Sequence, residues 1–232
     1  MFRGKADAIG GPILPYTEGY DAEAYKSEPE SLEAAQKLLD DDEWTLGDDG
    51  VRAKKSGKLT ARLEFEMIVP QIQFLLETAS IIKEQWAKAG IKLTLIPVNA
   101  AEVGEQYIKT RNYQMLLFGN ILKNNPDVFA FWHSSEKFYP GLNLSLYENR
   151  KVDALLESIR KDFDPESRKV SLSKLQSLIL DDHPAIFLFS PHYLYVTNGK
   201  LRGFDVKTLT TPSDRFQNVS QWYLKTKRIW KK

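Results

Sequence analysis

Aromatic side chains are concentrated between positions 129 and 147, in a segment that is otherwise rich in loop-forming residues. The rings are those of Phe129, Phe131, Trp132, Phe138, Tyr139 and Tyr147. Such rings are costly to leave in water, and pockets for small molecules are lined mainly by apolar and aromatic side chains with a few polar groups. The segment therefore either fills a core or lines a binding site.

Catalysis by the same segment is disfavoured, although His133 is followed directly by Ser134 and Ser135. A hydrolase requires the nucleophile and the base to meet side chain to side chain, and neighbours along a helix point in different directions. The sequence contains no Gly-x-Ser-x-Gly elbow, phosphate-binding loop or dinucleotide-binding glycine pattern. His133, His183 and His192 lack the spacing of metal ligands. We predict a protein that is not an enzyme and has no metal and no cofactor.

The composition restricts the partners and the location of the chain. Its 32 basic and 31 acidic residues give a formal charge of +1, so neither nucleic acid nor an anionic membrane is expected as a partner. The absence of cysteine removes disulfides and thiolate chemistry. No apolar run reaches the length of a membrane helix, and Met1-Phe2-Arg3-Gly4 lacks the apolar core of a signal peptide. We expect no signal peptide in this chain.

Apolar periodicity predicts strands that alternate with helices. The predicted strands cover 59–69, 91–98 and 113–119, and the helices cover 71–89, ended by Gly90, and 100–111, opened by a capping box of Asn99 and Glu102. A shorter helix begins after Ser31 as N-cap. The alternation implies right-handed crossovers and a mostly parallel sheet.

The predicted fold places a candidate site at one edge of that sheet. The residues assigned to central strands are Leu63, Phe65, Leu93, Leu95, Leu116 and Leu117, and the covering helices hold Ile82, Trp86, Leu155 and Ile159. Ligands of open parallel sheets bind beyond the carboxyl ends of the strands. The third strand ends at Gly119, directly before the aromatic segment, and this position favours a binding site over a core.

The C-terminal part is predicted to contain two more helices and an aromatic tail. The first helix buries a stripe formed by Val152, Leu155, Leu156, Ile159 and Phe163. The second begins with Asp164 as N-cap and Pro165 in its first turn. An extended apolar run and an Asn198-Gly199 turn follow, and the tail carries aromatic residues without obvious partners: Phe204, Phe216, Trp222, Tyr223 and Trp230.

Seven segments, in the same order, resemble the C-terminal half of the family 5 extracellular solute-binding proteins, the peptide, dipeptide and nickel receptors of bacterial ABC importers. They are GGPILPYTEGYDAEAY, SLEAAQKLLDDDEWTLGDDGVRAK, IIKEQWAKAGIKLTLIPVNAAEV, NPDVFAFWHSS, GLNLSLYENRKVDALLE, DDHPAIFLFSPHYLYV and LRGFDVKTLTTPSDRFQNVSQWY. The resemblance covers nearly the whole chain. It implies an α/β, periplasmic-binding-protein-like lobe of three layers with a mostly parallel central sheet, plus short segments of an otherwise missing first lobe.

The resemblance also implies how the chain is divided and what it works with. Residues 1–20 are the expected outgoing crossover, 21–195 the second ligand-binding lobe, and 196–232 a C-terminal return segment that belongs to the first lobe. We therefore expect a fragment or a truncated relative. Its full-length parent is expected to be periplasmic or extracellular, tethered to the membrane, and to deliver an oligopeptide or other polar small solute to the membrane permease of an ABC importer.

In the peptide receptors of this family, the loop after the third strand supplies backbone groups to an extended peptide and an aspartate that pairs with its α-ammonium. The corresponding segment here is FGNILKNNPD, and the position of that aspartate falls on Leu122. An apolar side chain cannot compensate a desolvated ammonium. The amides of Asn120, Asn124 and Asn125 offer donors and acceptors to neutral groups instead. Peptides, oligosaccharides and other polar solutes all stay open.

For several residues of the predicted site, a structural role remains an alternative to ligand binding. The predicted ligand-binding residues are Gly119, Asn120, Leu122, Asn124, Trp132, Asn143, Tyr147 and Tyr195. Asn125 and Pro126 also fit the start of a helix running through Ser134, and Trp132 also fits a core position. Asn143 and Tyr147 lie in a loop that should close over the site.

A second function stays open beside transport. The same lobe without its partner lobe fits a protein-interaction module that takes no part in import. Unpaired strand edges and large apolar patches promote association. We therefore expect the isolated chain to self-associate and to bind its solute weakly or not at all.

Overall fold

The computed structural model describes residues 2–15, 17–25, 31–122, 127–206, 209 and 211–224. These residues form two compact units. The first unit contains Tyr25–Asn120 and Phe129–Ala154. The second contains the described residues of Phe2–Ala24, Ile121–Val128 and Leu155–Lys232. Asn124, Asn125, Pro126 and Trp230 lie outside the described residues, so the predictions for them stay predictions.

The first unit contains both helices and strands, and shorter strands dominate the end of the described chain. The helices are α1 (Leu32–Asp41), α2 (Gln73–Lys88), α3 (Phe129–Trp132), α4 (Arg150–Lys161) and α5 (Pro165–Asp182). The strands are β1 (Ala6–Ala8), β2 (Thr45–Leu46), β3 (Arg52–Ser56), β4 (Leu59–Arg62), β5 (Glu64–Pro70), β6 (Lys92–Val98), β7 (Met115–Leu116), β8 (Phe189–Pro191), β9 (Leu201–Arg202) and β10 (Tyr223–Leu224).

A parallel sheet in the order β6-β5-β7 confirms the predicted α/β fold class. Helix α2 packs against β5 and β6. None of the six residues predicted for the central strands is exposed, and Leu93 is almost fully buried. Phe65 lies in the central strand β5, but the prediction was wrong for Leu93, Leu95 and Leu116, because β6 and β7 are the two edges of this sheet. Leu63 and Leu117 lie just outside the strands.

The strand predicted over 59–69 is two strands that meet at Leu63. The N–H of Leu63 donates to Arg52 O at 2.9 Å, and its carbonyl accepts from Lys92 N at 2.8 Å. The chain therefore changes partner there, from the antiparallel β2-β3-β4 sheet to the parallel sheet. Apolar alternation continues through the change, and for this reason the pattern alone reads as one strand.

The helix predicted over 100–111 contains a π-helical turn, Gly104–Ile108. The predicted capping box was also wrong, because Asn99 Oδ1 accepts from the N–H of Ala101 at 3.0 Å. Tyr107 and Ile108 nevertheless pack on a core cluster that includes Ile68. The apolar residues that predicted the helix therefore do face the core, but the backbone at 104–108 forms a π-helix, which is wider than an α-helix.

Three predicted helix ends are confirmed. Ser31 accepts from Ala34 N at 2.9 Å at the start of α1, and Asp164 accepts from Ser167 N at 2.9 Å at the start of α5. Gly90 follows α2 with φ +83°, a conformation that glycine adopts without strain. Phe163 is the exception to the predicted stripe of α4, because it lies beyond the end of that helix and is 92% exposed.

In the second unit, strand β1 pairs with β8, and Asp7 faces Ser190. The segment predicted as a plain connection thus contains a strand. Helix α5 buries Leu172, and a Cβ on Gly19 would lie 2.4 Å from Leu172 Cδ1, so this close approach requires glycine. Across the described residues, no helix is long and apolar enough to span a membrane.

Candidate functional site

The carboxyl end of β7 opens onto an exposed segment in the first unit. Leu117 is buried, and its N–H donates to Ile68 O at 3.0 Å, whereas Phe118 is 45% exposed. Gly119 and Asn120 are exposed, and a Cβ on Gly119 would meet nothing within 4 Å. The backbone at this edge is therefore open to a bound molecule.

Asn143 fixes the backbone of the segment 133–147 from inside. Its side chain is 0% exposed. Its Nδ2 donates to His133 O at 3.1 Å and to Tyr147 O at 2.9 Å, and its Oδ1 accepts from Tyr147 N at 3.0 Å and from the Ser145 hydroxyl at 3.2 Å. Every hydrogen-bonding group of the amide is used within the protein. These bonds give Asn143 a positioning role, and its predicted contact with a solute stays a prediction.

Arg111 and Tyr113 fix the same segment from the other side. The guanidinium of Arg111, a residue with φ 58°, donates from Nε to Lys137 O at 2.8 Å and from Nη2 to Gly141 O at 2.7 Å. The Tyr113 hydroxyl donates to Leu144 O at 2.5 Å. Burial raises the pKa of Tyr113, which keeps this hydroxyl protonated as a donor.

The rings of the aromatic segment are divided between the interior and the surface. Trp132 and Tyr147 are buried and pack edge to face, with ring centroids 6.3 Å apart. Four apolar side chains of the same segment are exposed: Phe138, Tyr139, Leu142 and Leu146. Lys109 Nζ lies 5.2 Å from the centroid of the Tyr139 ring. Trp132 and Tyr147 therefore fill the interior, whereas a binding role for the exposed side chains stays a prediction.

His133, Ser135 and Asp153 meet in space, contrary to the prediction that neighbouring side chains would diverge. Ser135 Oγ lies 2.8 Å from His133 Nδ1, because His133 is the N-cap of a 3-10 turn and is not inside a helix. The Asp153 carboxylate lies 3.9 Å from His133 Nε2, beyond hydrogen-bond range. It accepts instead from the N–H and hydroxyl of Ser134, at 2.9 and 2.6 Å. This arrangement caps the turn and lacks the geometry of a catalytic triad.

The other predicted site residues fall in the second unit or outside the described part. Leu122 is half-buried, and Asn124 lies outside the described residues. Tyr195 is 39% exposed and stacks with Tyr193 at 6.5 Å between ring centroids. In the described part of the chain, no three His, Asp or Glu side chains form a group able to hold a metal ion. Ligand binding by these residues stays a prediction.

Sequence reasoning missed the residues that hold the segment in place. Arg111 is the last residue of the helix predicted over 100–111, and nothing in the sequence signals its positive φ or its three carbonyl partners. Asp153 occupies a polar position of α4, and its bonds to Ser134 span 19 residues. The one available signal was the presence of Ser134, Ser135, Asn143 and Ser145 in the segment, since Ser and Asn side chains often bond to nearby backbone groups.

Comparisons with known proteins agree with this architecture. The family model described as "Bacterial extracellular solute-binding proteins, family 5 Middle" matches residues 1–139. "Probable D,D-dipeptide-binding periplasmic protein DdpA" of Escherichia coli (strain K12) is 33% identical over 93 residues, which cover 38% of this chain and 18% of that protein. The chain belongs to the family 5 bacterial extracellular solute-binding proteins.

Solved structures show the same fold. The oligopeptide-binding protein AppA from Bacillus subtilis, in complex with a nonapeptide, has a TM-score of 0.73 at 21% identity, over 96% of this chain and 43% of AppA. NikZ from Campylobacter jejuni, in complex with Ni(L-His), has a TM-score of 0.71 at 21% identity, over 94% of this chain and 43% of NikZ. The chain thus spans less than half the length of these relatives.

Proposed function

We propose that this chain is part of the solute-binding component of an ABC importer and supplies one of two lobes that close on a peptide or similar polar solute. The observation that carries the proposal is the exposed segment 118–120 at the carboxyl end of β7. Ligands of parallel sheets bind at that edge, and the chain belongs to a family of solute-binding proteins. Gly119 and Asn120 offer open backbone groups and an amide side chain to the solute.

The chemistry of the following residues favours a solute without an ammonium group at this point. Between Leu117 and Val128 the sequence has one acidic residue, Asp127. In the second unit, Arg160 holds the two oxygens of that carboxylate, with distances of 2.8 Å from Nη2 and 3.1 Å from Nε. Leu122 supplies no charge. Residues 118–127 therefore offer an ammonium no carboxylate that is not already paired.

The wider setting belongs to the same proposal. Members of the family are extracellular solute-binding proteins, and the chain spans 43% of AppA. We take residues 1–20 as an outgoing crossover, 21–195 as the second lobe and 196–232 as a return to the first lobe. Membrane tethering and delivery to a permease are proposed for the full-length parent.

A nuclear magnetic resonance titration tests the proposed site. The probes are the neutral peptide N-acetyl-trialanine amide and a neutral oligosaccharide, maltotriose. One of them should shift the backbone amide signals of Gly119 and Asn120. Asn120→Ala should weaken that binding by about fivefold, since one hydrogen bond contributes about 1 kcal/mol, whereas the exposed Asn112→Ala should not. Unchanged Gly119 and Asn120 signals with both probes would reject the site.

One observation favours a protein-interaction module as the second candidate function. Phe138, Tyr139, Leu142 and Leu146 are exposed on a segment whose backbone is fixed by buried side chains. Such a preformed apolar surface suits a protein partner. Replacing Phe138 and Tyr139 by serine distinguishes the two uses: the solute titration is unchanged if these rings serve a protein partner and weakens if they line the solute site.

A further inference from the structure

Arg215 is held between aromatic rings in the second unit. Its guanidinium carbon lies 4.4 Å from the centroid of the Phe216 ring and 5.1 Å from that of Tyr195. Its Nη1 donates to the Tyr193 hydroxyl at 2.9 Å and to Pro212 O at 2.7 Å. Two rings and two acceptors therefore fix both the position and the plane of the cation.

The charge of Arg215 is not balanced by a carboxylate. The adjacent Asp214 accepts from the N–H and hydroxyl of Thr211, at 2.8 and 3.0 Å, and so caps its own turn. Among the residues that the structure describes, Arg215 has no acidic partner. A ring face attracts a cation but leaves its positive charge in place.

The guanidinium also has unused donors. Of its five N–H groups, Nη1 uses two. Nε is buried without a hydrogen-bond partner within the described ranges, and Nη2 has none there either. A buried donor left unsatisfied is unfavourable, and burial among rings strengthens any charge-assisted bond that forms. Among the described residues, the guanidinium therefore keeps donors for a further acceptor.

The surroundings offer apolar contact beside the cation. The ring of Phe204 packs between those of Tyr195 and Trp222, with centroid distances of 5.6 Å to Tyr195 and 5.4 Å to Trp222. The Trp222 ring in turn lies 5.6 Å from that of Phe216. Tyr195 and Phe216 are 39% and 42% exposed. A fixed cation beside accessible rings matches an organic acid, whose carboxylate and hydrocarbon part need different partners.

We propose that Arg215 forms a subsite for the carboxylate of a small organic solute, such as the C-terminus of a peptide, which receives the Nη2 donors while its carbon atoms pack on Tyr195. This inference rests on the proposed solute-binding function, and it concerns residues of the second unit alone. The inference adds to that function the recognition of a negatively charged group, the carboxylate of the solute. The competing explanation is that Arg215 only joins the turn at 212–216 to Tyr193 and Tyr195.

The test compares N-acetyl-trialanine with its amide, which differ only in the carboxylate, at one ionic strength. The side-chain Nε–Hε signal of Arg215 is the local reporter, because burial protects this proton from exchange, and its loss in Arg215→Lys assigns it. The carboxylate peptide should shift the signal and bind about tenfold more tightly than the amide. Arg215→Met should abolish that preference, and Arg202→Met, an exposed arginine of β9, should keep it.

Equal effects of the two peptides, no shift of the Arg215 signal, or a preference retained by Arg215→Met would overturn the subsite. Thermal unfolding of each variant checks that the fold is kept, and Arg215→Lys, which keeps the charge but lacks the planar fork, should lose part of the preference. The backbone signals of Gly119 and Asn120 report the proposed function in the same titration. If the Gly119 and Asn120 signals shift and the Arg215 signal does not, the subsite alone is rejected. If the Arg215 signal shifts and those of Gly119 and Asn120 do not, the proposed site at Gly119 and Asn120 alone is rejected.

Discussion

Asn143 is the residue on which the shape of the segment 133–147 depends most directly. Removing its amide leaves the carbonyls of His133 and Tyr147 and the N–H of Tyr147 without their buried partner. We predict that Asn143→Ala lowers the free energy of unfolding by about 2–4 kcal/mol, because each stranded group loses hydration without a replacement bond. Urea unfolding measures this change. The exposed Asn112→Ala is the matched control, and an equal effect of both variants would contradict the assigned role.

The sequence predicted which residues of the site matter, but it did not predict which groups they contact. The sequence singled out Trp132, Asn143 and Tyr147, and the structure makes Asn143 and its bond to Tyr147 the support of a segment. The partners of Asn143 are backbone groups, which every residue carries, so no side-chain pattern could identify them. Gly119 and Asn120 were located by a different rule, the edge of a parallel sheet, which does not depend on local contacts.

Strand β5 is the element that organises the first unit, since it pairs with both β6 and β7. Ile68 of this strand is 3% exposed and belongs to the cluster that contains Val98 and Val103. We predict that Ile68→Ala costs about 2–5 kcal/mol of stability through lost contacts and a residual cavity. In α2, Ile81 is 46% exposed and provides the control. If Ile81→Ala proved as costly in urea unfolding, β5 would not be the centre of the core.

Elements with strong periodicity and clear end signals were predictable, and elements defined by distant partners were not. Helices α1, α2 and α5 follow from their stripes with Ser31, Gly90 or Asp164 at their ends. Strand β4 was predicted as part of the longer strand over 59–69, whereas both residues of β2 are exposed, so its sequence carries no buried face to detect. The pairing of β1 with β8 joins residues about 180 positions apart and has no local signature.

At the scale of the whole molecule, the aromatic and apolar surface of the second unit favours self-association. Val196 is 93% exposed, and Val219, Tyr223 and Leu224 are each more than half exposed. We predict that the mass measured by sedimentation equilibrium rises with protein concentration, because contact between copies removes this surface from water. Replacing Val219 and Leu224 by serine should reduce the effect. A mass equal to one chain at every concentration would contradict it.

The most direct measurement is the affinity of this chain for a peptide beside that of a two-lobed relative. AppA, of which this chain covers 43%, is in complex with a nonapeptide, and the proposed two-lobe arrangement assigns this chain only one of the two walls of the solute site. A single wall leaves much of a ligand in water, and a loss of about 4 kcal/mol weakens binding about a thousandfold. Isothermal titration calorimetry of both proteins with the same peptide series should therefore give millimolar dissociation constants for this chain, far weaker than those of the relative. Submicromolar binding by this chain alone would contradict the assignment of a single wall.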